Sequence, residues 1–170
     1  MGLDMYLEIR KNEYCSKYHK DKGSRLKRVY PKDITDFITV SSDDMTVSRK
    51  TNYEVGYWRK ANHIHHWFME NCADRDECGE PVDDCRPIEI TVDKLEELLD
   101  ACKKVLEDHS LASSLLPTQS GFFFGSIDYD DYYFEDIKNT IEIIEPVIKF
   151  AKHKLEIKDY VWEVWYQASW

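Results

Sequence analysis

The sequence lacks most of the features that would assign a chain to a class at once. No apolar run approaches the ~18 residues a membrane-spanning helix needs, which excludes a helical membrane protein. The first seven residues, MGLDMYL, have no basic start followed by an apolar stretch. No secretory signal is therefore expected, and a cytoplasmic location is. There is no C-x2-C pair, no P-loop, no dinucleotide fingerprint and no nucleophile elbow. Internal repeats and low-complexity tracts are absent. Aromatic residues, by contrast, reach 14% of the chain, which excludes global disorder.

What remains is 170 residues, 42% of them hydrophobic, enough for the core of one domain and short for two. Thirty-three Asp and Glu outweigh 23 Lys and Arg, for a formal charge of −10. The charge is unevenly placed. Residues 10–32 carry nine Lys and Arg against Glu13 and Asp21. Residues 70–100 carry twelve Asp and Glu against Arg75, Arg86 and Lys94, and residues 128–136 carry five carboxylates with no base. Nucleic-acid binding needs a basic face to release counterions from phosphates. A body this acidic is not expected to bind nucleic acid directly and suits a partner with a basic surface.

Periodicity outlines the elements. Leu3–Arg10 reads as a strand, residues 11–33 as a basic and mobile loop, and Ile34–Val40 as a short strand, with another near Met45–Val47. Gly56–Asn71 is predicted as a helix, with Tyr57, Ala61, Ile64 and Phe68 on one stripe and Arg59, His63, His66 and Glu70 on the polar face. An acidic loop follows over 72–87. Thr91 is predicted to cap a helix whose apolar stripe is Val92, Leu95, Leu98, Leu99, Cys102, Val105 and Leu106. Asp130 opens a third helix to about His153, with Ile137, Ile141, Ile144 and Ile148 inward and a kink expected at Pro146. Tyr160–Trp170 alternates with a period of two and reads as a strand. Strands at both ends with helices between them predict an α+β single domain. It would be a small antiparallel sheet holding both terminal strands, packed by about three helices.

Three constellations could carry chemistry. His65 falls inside an apolar stripe and needs a partner for each ring nitrogen, either a core bond to backbone or a Tyr hydroxyl, or a ligand. Cys72, Cys78 and Cys85 border the acidic loop directly after a helix bearing His63, His65 and His66. Three thiolates and one imidazole would complete a structural zinc site, and ordinary free thiols are the other reading. Their C-x5-C-x6-C spacing is not that of a zinc knuckle. The run from Thr118 to Gly125 (TQSGFFFG) either forms a buried aromatic strand between turns or lines a small-ligand pocket. In the second case Arg59, Asn62, His65, Gln119, Ser120 and Tyr133 would surround a phosphate- or nucleotide-like ligand. Trp67, which points away from its stripe, is either an interface anchor or covered by the basic loop.

The segments MGLDMYL at the start, GYWRKAN from Gly56 with Ile64, His65, Trp67 and Phe68, LPTQSGFFFG from Leu116 with Tyr129 and Tyr132–Asp136, and YQASW at the end resemble a family of small proteins encoded by bacteriophages and prophages. The likeness covers most of the chain outside 11–50. His65 and Cys85 fit that family's pattern, whereas His63, Cys72 and Cys78 depart from it. The resemblance implies a phage accessory protein acting in the bacterial host cytoplasm. Some accessory proteins of this size and acidity are anti-CRISPR proteins. The expectation is thus a non-enzymatic inhibitor that binds a host defence complex, a type II CRISPR nuclease first, and blocks nucleic-acid loading. Asp83, Asp84, Glu89, Asp128, Asp130 and Asp131 would supply the acidic contact. The alternatives are the small-molecule binding protein or enzyme outlined above and a phage interaction protein with no inhibitory role.

Overall fold

The N-terminal strand sets the frame of the fold. The computed structural model describes residues 2–15 and 47–170, with backbone alone for Cys15 and Val47. Strand β1 (Asp4–Cys15) alternates from its approach onward, with Leu3, Met5, Leu7 and Ile9 buried and the residues between them half-exposed. Strand β2 (Val47–Arg59) lies on one side of β1. The C-terminal strand β4 (Trp162–Ser169) lies on the other, with the two-residue β3 (Ile88–Glu89) at the far edge. The sheet order is β2-β1-β4-β3 and the pairing antiparallel, with Ile88 opposite Tyr166 and Glu89 opposite Trp165. The expected α+β fold, with both terminal strands in one sheet, is what forms.

Two strand limits differ from expectation. β1 continues through Cys15, so the first residues assigned to the basic loop are strand. Residues 16–33, and the strand expected over Ile34–Val40, lie outside the described residues, as does Met45. Residues 56–59 are the end of β2 and not the start of a helix. They alternate, with Gly56 and Trp58 buried and Tyr57 and Arg59 exposed. Gly56 has no room for a side chain, because a Cβ there would overlap Ile143. Trp58 is held by a bond from its indole N–H to the Thr140 hydroxyl at 2.9 Å.

Four helices are present among the described residues: α1 (Asn62–Cys72), α2 (Val92–Glu107), the short α3 (Ala112–Leu115) and α4 (Asp131–Glu156). Thr91 caps α2 as expected, its side chain accepting from the Lys94 N–H at 3.3 Å, and Leu95, Leu98, Cys102 and Val105 are buried. Asp130 caps α4 in the same way, accepting from the Tyr133 N–H at 3.0 Å. α4 runs through Pro146 as one continuous helix, with Ile137, Ile144 and Ile148 in the core. It packs along α2 and against β4. On β4, Val164, Tyr166 and Ala168 point into the core.

The chain divides into two compact units, Met1–Ile9 with Tyr53–Trp170, and Arg10–Asn52. In the second, Glu13 is buried between Lys11 Nζ at 2.7 Å and Arg49 Nη2 at 2.6 Å. Hydrogen bonds from these two cations hold its carboxyl below the usual range.

Candidate functional site

Helix α1 is buried on more faces than its periodicity suggests, and that decides what it can do. Asn62, His63, Ile64, His65, Trp67, Phe68 and Met69 are all buried. Trp67 is therefore core, packed edge-on to Phe68 at 5.5 Å, and does not anchor an interface. The expected polar face is broken. His63 is only 2% exposed, and Glu70 pairs with Arg75 at 2.9 Å.

His65 is sealed in the core and both its ring nitrogens are used. Nδ1 lies 2.8 Å from the Tyr166 hydroxyl and Nε2 3.0 Å from Asp83 Oδ2. As a carboxylate Asp83 can only accept, so Nε2 carries a hydrogen toward it, and in the neutral ring Nδ1 accepts from the phenol. Burial pushes the Tyr166 phenol well above its ordinary value, which keeps that donor proton in place. Rings of Phe124 and Trp170 meet the imidazole edge-on. The core reading of His65, with a Tyr hydroxyl as partner, is the one that forms. It also fastens the acidic loop to the core through Asp83.

Cys72, Cys78, Cys85, His65 and His66 do not assemble around a common point. Among the described residues no group of three or more His, Cys, Asp or Glu side chains is arranged to hold a metal ion. Cys72 and Cys85 are half-buried and Cys78 is exposed, all as free thiols. Burial pushes the Cys72 thiol up to about 11, which disfavours the thiolate a metal needs. His66 is half-buried on α1, and His65 is committed to Tyr166 and Asp83. The loop is ordered by other means. Asp76 Oδ1 accepts from the backbone N–H groups of Cys78 and Glu80, Asp84 binds Arg86 at 2.6 Å, and Gln167 Nε2 donates to the Cys85 carbonyl. Cys85 itself sits at φ 64°, a conformation unusual for a side-chain-bearing residue.

The start of α1 and the 118–126 segment converge through Asn62. Its Nδ2 donates to the carbonyls of Phe124 at 3.0 Å and Ser126 at 2.7 Å, and its Oδ1 accepts from the Gln119 N–H at 2.9 Å. The segment is irregular, with one turn at Phe122–Phe123 closed by a bond from the Phe124 N–H to the Gly121 carbonyl, and is not a buried aromatic strand. Phe124 is buried, while Phe122 is 96% exposed. Gly125 takes φ 90° against Lys60, a position open to glycine because a Cβ would press on that residue.

Beside this junction lies a hollow of about 340 Å³. Arg59, Lys60 and Gly125 line one part of it, and Asp128, Asp130, Glu135 and Asp136 supply its carboxylates. His63, Tyr132 and Tyr133 add rings. Of the six residues expected around a ligand, Arg59, Asn62 and Tyr133 reach this hollow, and His65, Gln119 and Ser120 do not. Tyr133 is buried with its hydroxyl spent on the Leu116 carbonyl at 2.8 Å. Burial, then the charges of Glu135 and Asp130, push the Asp136 carboxyl up to about 6. Burial alone pushes His63 down to about 3, so its ring is neutral. Its Nε2 is buried with no hydrogen-bond partner, as is Gln119 Oε1.

No family model, curated protein or solved structure matches this chain. The roles of its residues therefore rest on their geometry.

Sequence reasoning missed His63, placed on a polar face by a helical wheel that assumed one solvent side. It also treated the two acidic stretches alike. Asp83 serves His65, Asp84 serves Arg86, and Glu89 is exposed on edge strand β3. In the other stretch Asp128 accepts from Ser126 Oγ, Asp130 caps α4, and Asp131 is exposed in the first turn. Among the described residues none of Asp128, Asp130, Asp131, Glu135 and Asp136 forms an ion pair. No described helix is long and apolar enough to cross a membrane.

Proposed function

We propose that this chain is a non-enzymatic binding protein that engages a partner protein with a basic surface through the acidic face at the start of α4. The observation that carries this is the set of five carboxylates between 128 and 136 that form no ion pair among the described residues. Unpaired charge of one sign is held in place by a helix cap and costs self-repulsion, so it is poised for a complementary surface. Exposed Phe122, Ile127, Tyr129 and Tyr132 in the same stretch of chain supply the apolar and aromatic contacts that anchor interfaces.

A basic surface of this kind is what a nucleic-acid-handling protein uses for guide or target strands. With the resemblance to phage accessory proteins, the reading is an inhibitor of a host defence nuclease, a type II CRISPR nuclease first, that occupies the nucleic-acid channel. The test is target cleavage by such a nuclease with increasing amounts of this protein, alongside direct binding at several salt concentrations. Inhibition and salt-weakened binding are expected, with loss of both in an Asp131→Lys, Glu135→Lys variant. Absence of binding, or binding indifferent to that charge reversal, would reject the reading.

A further inference from the structure

We infer that the hollow at the start of α4 receives the guanidinium group of an arginine side chain presented by the basic partner. This deepens the binding role proposed above and rests on it for the source of the arginine.

The lining favours a cation with several donors. Four carboxylates, from Asp128, Asp130, Glu135 and Asp136, face two cations, Arg59 and Lys60. The positive end of the α4 dipole opposes a cation with only about half a charge, which the carboxylates outweigh. A phosphate-bearing ligand meets the same four carboxylates as repulsion, so a nucleotide is disfavoured here.

His63 is the second and independent pointer. It lines the hollow, is only 2% exposed, and leaves Nε2 without a partner. Its ring packs tilted against that of Tyr133, with centroids 4.2 Å apart, which fixes its place. A neutral imidazole offers one acceptor nitrogen, and a buried polar atom normally has a partner. A ligand N–H would satisfy it. Burial first, and then the charges of Glu135 and Asp130, raise the Asp136 carboxyl, and a bound cation offsets both.

Guanidinium suits this better than ammonium. Its five N–H donors spread in a plane and can meet carboxylates and an imidazole together, whereas ammonium is a point charge. Tyr132, 76% exposed at the hollow, presents a ring on which a guanidinium can stack. The volume, about 340 Å³, is at the small end of ligand pockets and fits one long side chain.

The test uses the full chain and two probes of equal charge, ethylguanidinium and n-butylammonium, followed by NMR at the His63 ring. Saturable shifts with ethylguanidinium are expected. Affinity should fall about tenfold in Glu135→Gln and in Asp136→Asn, the scale of one lost charge-assisted bond. The remote Asp93→Asn variant should match the parent. No shift at His63, equal affinity for both probes, or equal loss in Asp93→Asn would overturn the proposal. The nuclease assay separates the two claims. Inhibition untouched by Glu135→Gln with Asp136→Asn, but lost in Asp131→Lys with Glu135→Lys, rejects the arginine pocket and keeps the binding role. Guanidinium binding with no engagement of any nuclease keeps the pocket and rejects that role.

Discussion

The loop after α1 and the turn that opens α4 are both strongly acidic, yet they use their carboxylates in opposite ways. In the loop, Asp83 holds the buried His65, Asp76 folds its own turn, and Glu70 and Asp84 take Arg75 and Arg86. At α4 Asp130 caps the helix and, with Asp128, Glu135 and Asp136, lines a hollow in which, among the described residues, none of the four forms an ion pair. The first arrangement is architecture. The second stores unpaired charge. Net charge alone does not separate them, because it counts carboxylates and not their partners.

The comparison can be broken by substitution. The largest effect is expected at Asp83→Ala, which strands the buried Nε2 of His65. An unsatisfied buried donor costs about 1–3 kcal/mol, readable as a shift of the urea midpoint. The acidic loop should also become more sensitive to protease, since its tie to the core is gone. An unchanged midpoint would mean that Asp83 is ornamental and the two regions are alike.

Next comes Asp130→Ala, which removes the α4 cap and should cost about 1 kcal/mol. Here the contrast lies within one region. Glu135→Gln should leave stability unchanged or slightly raised, because it removes repulsion and no partner.

A smaller effect distinguishes the hollow by pH. The Asp136 carboxyl is pushed from 3.8 up to about 6, so between those values the folded state binds more protons than the unfolded state. Its contribution is fully present below about pH 4 and is lost as pH rises through about 6. His63 acts in the opposite sense. Its folded value, about 3 against 6.5 ordinarily, makes stability fall as pH drops below about 6.5. Thermal unfolding of Asp136→Asn between pH 4 and pH 7 should show a steeper gain with rising pH than the parent, because the opposing contribution of Asp136 to that of His63 is gone. Parallel profiles would remove Asp136 from the hollow's electrostatics.

The smallest effect belongs to the exposed Asp84–Arg86 pair. Arg86→Ala should change stability by under about 1 kcal/mol, as exposed ion pairs do, and the difference should shrink in high salt.

Much of the scaffold is legible before any coordinates. Thr91 and Asp130 stand directly before apolar stripes, and both cap helices, because a short side-chain oxygen satisfies an end donor whatever lies around it. The alternation of β4 survives too, since a strand with one buried face has little choice of register. Around Gly56–Arg59 the reading fails. Four residues fit a helical stripe as well as a pleat, and long-range pairing with β1 decides for the strand. The place of His65 in an apolar stripe calls for two partners, but nothing local names Asp83 or Tyr166, which stand 18 and 101 residues away.

The sequence by itself determined the local and the additive: the caps, the stripes of α2 and α4, the α+β class and the total charge. Only the tertiary structure decided which acids are consumed, that His63 is buried beside Tyr133 with an unpartnered nitrogen, and that, among the described residues, Cys72, Cys78, Cys85, His65 and His66 form no group arranged to hold a metal ion. The physical reason is range. Caps and periodicity are settled within a turn or two of chain, whereas partnership and desolvation depend on which distant residues share a volume.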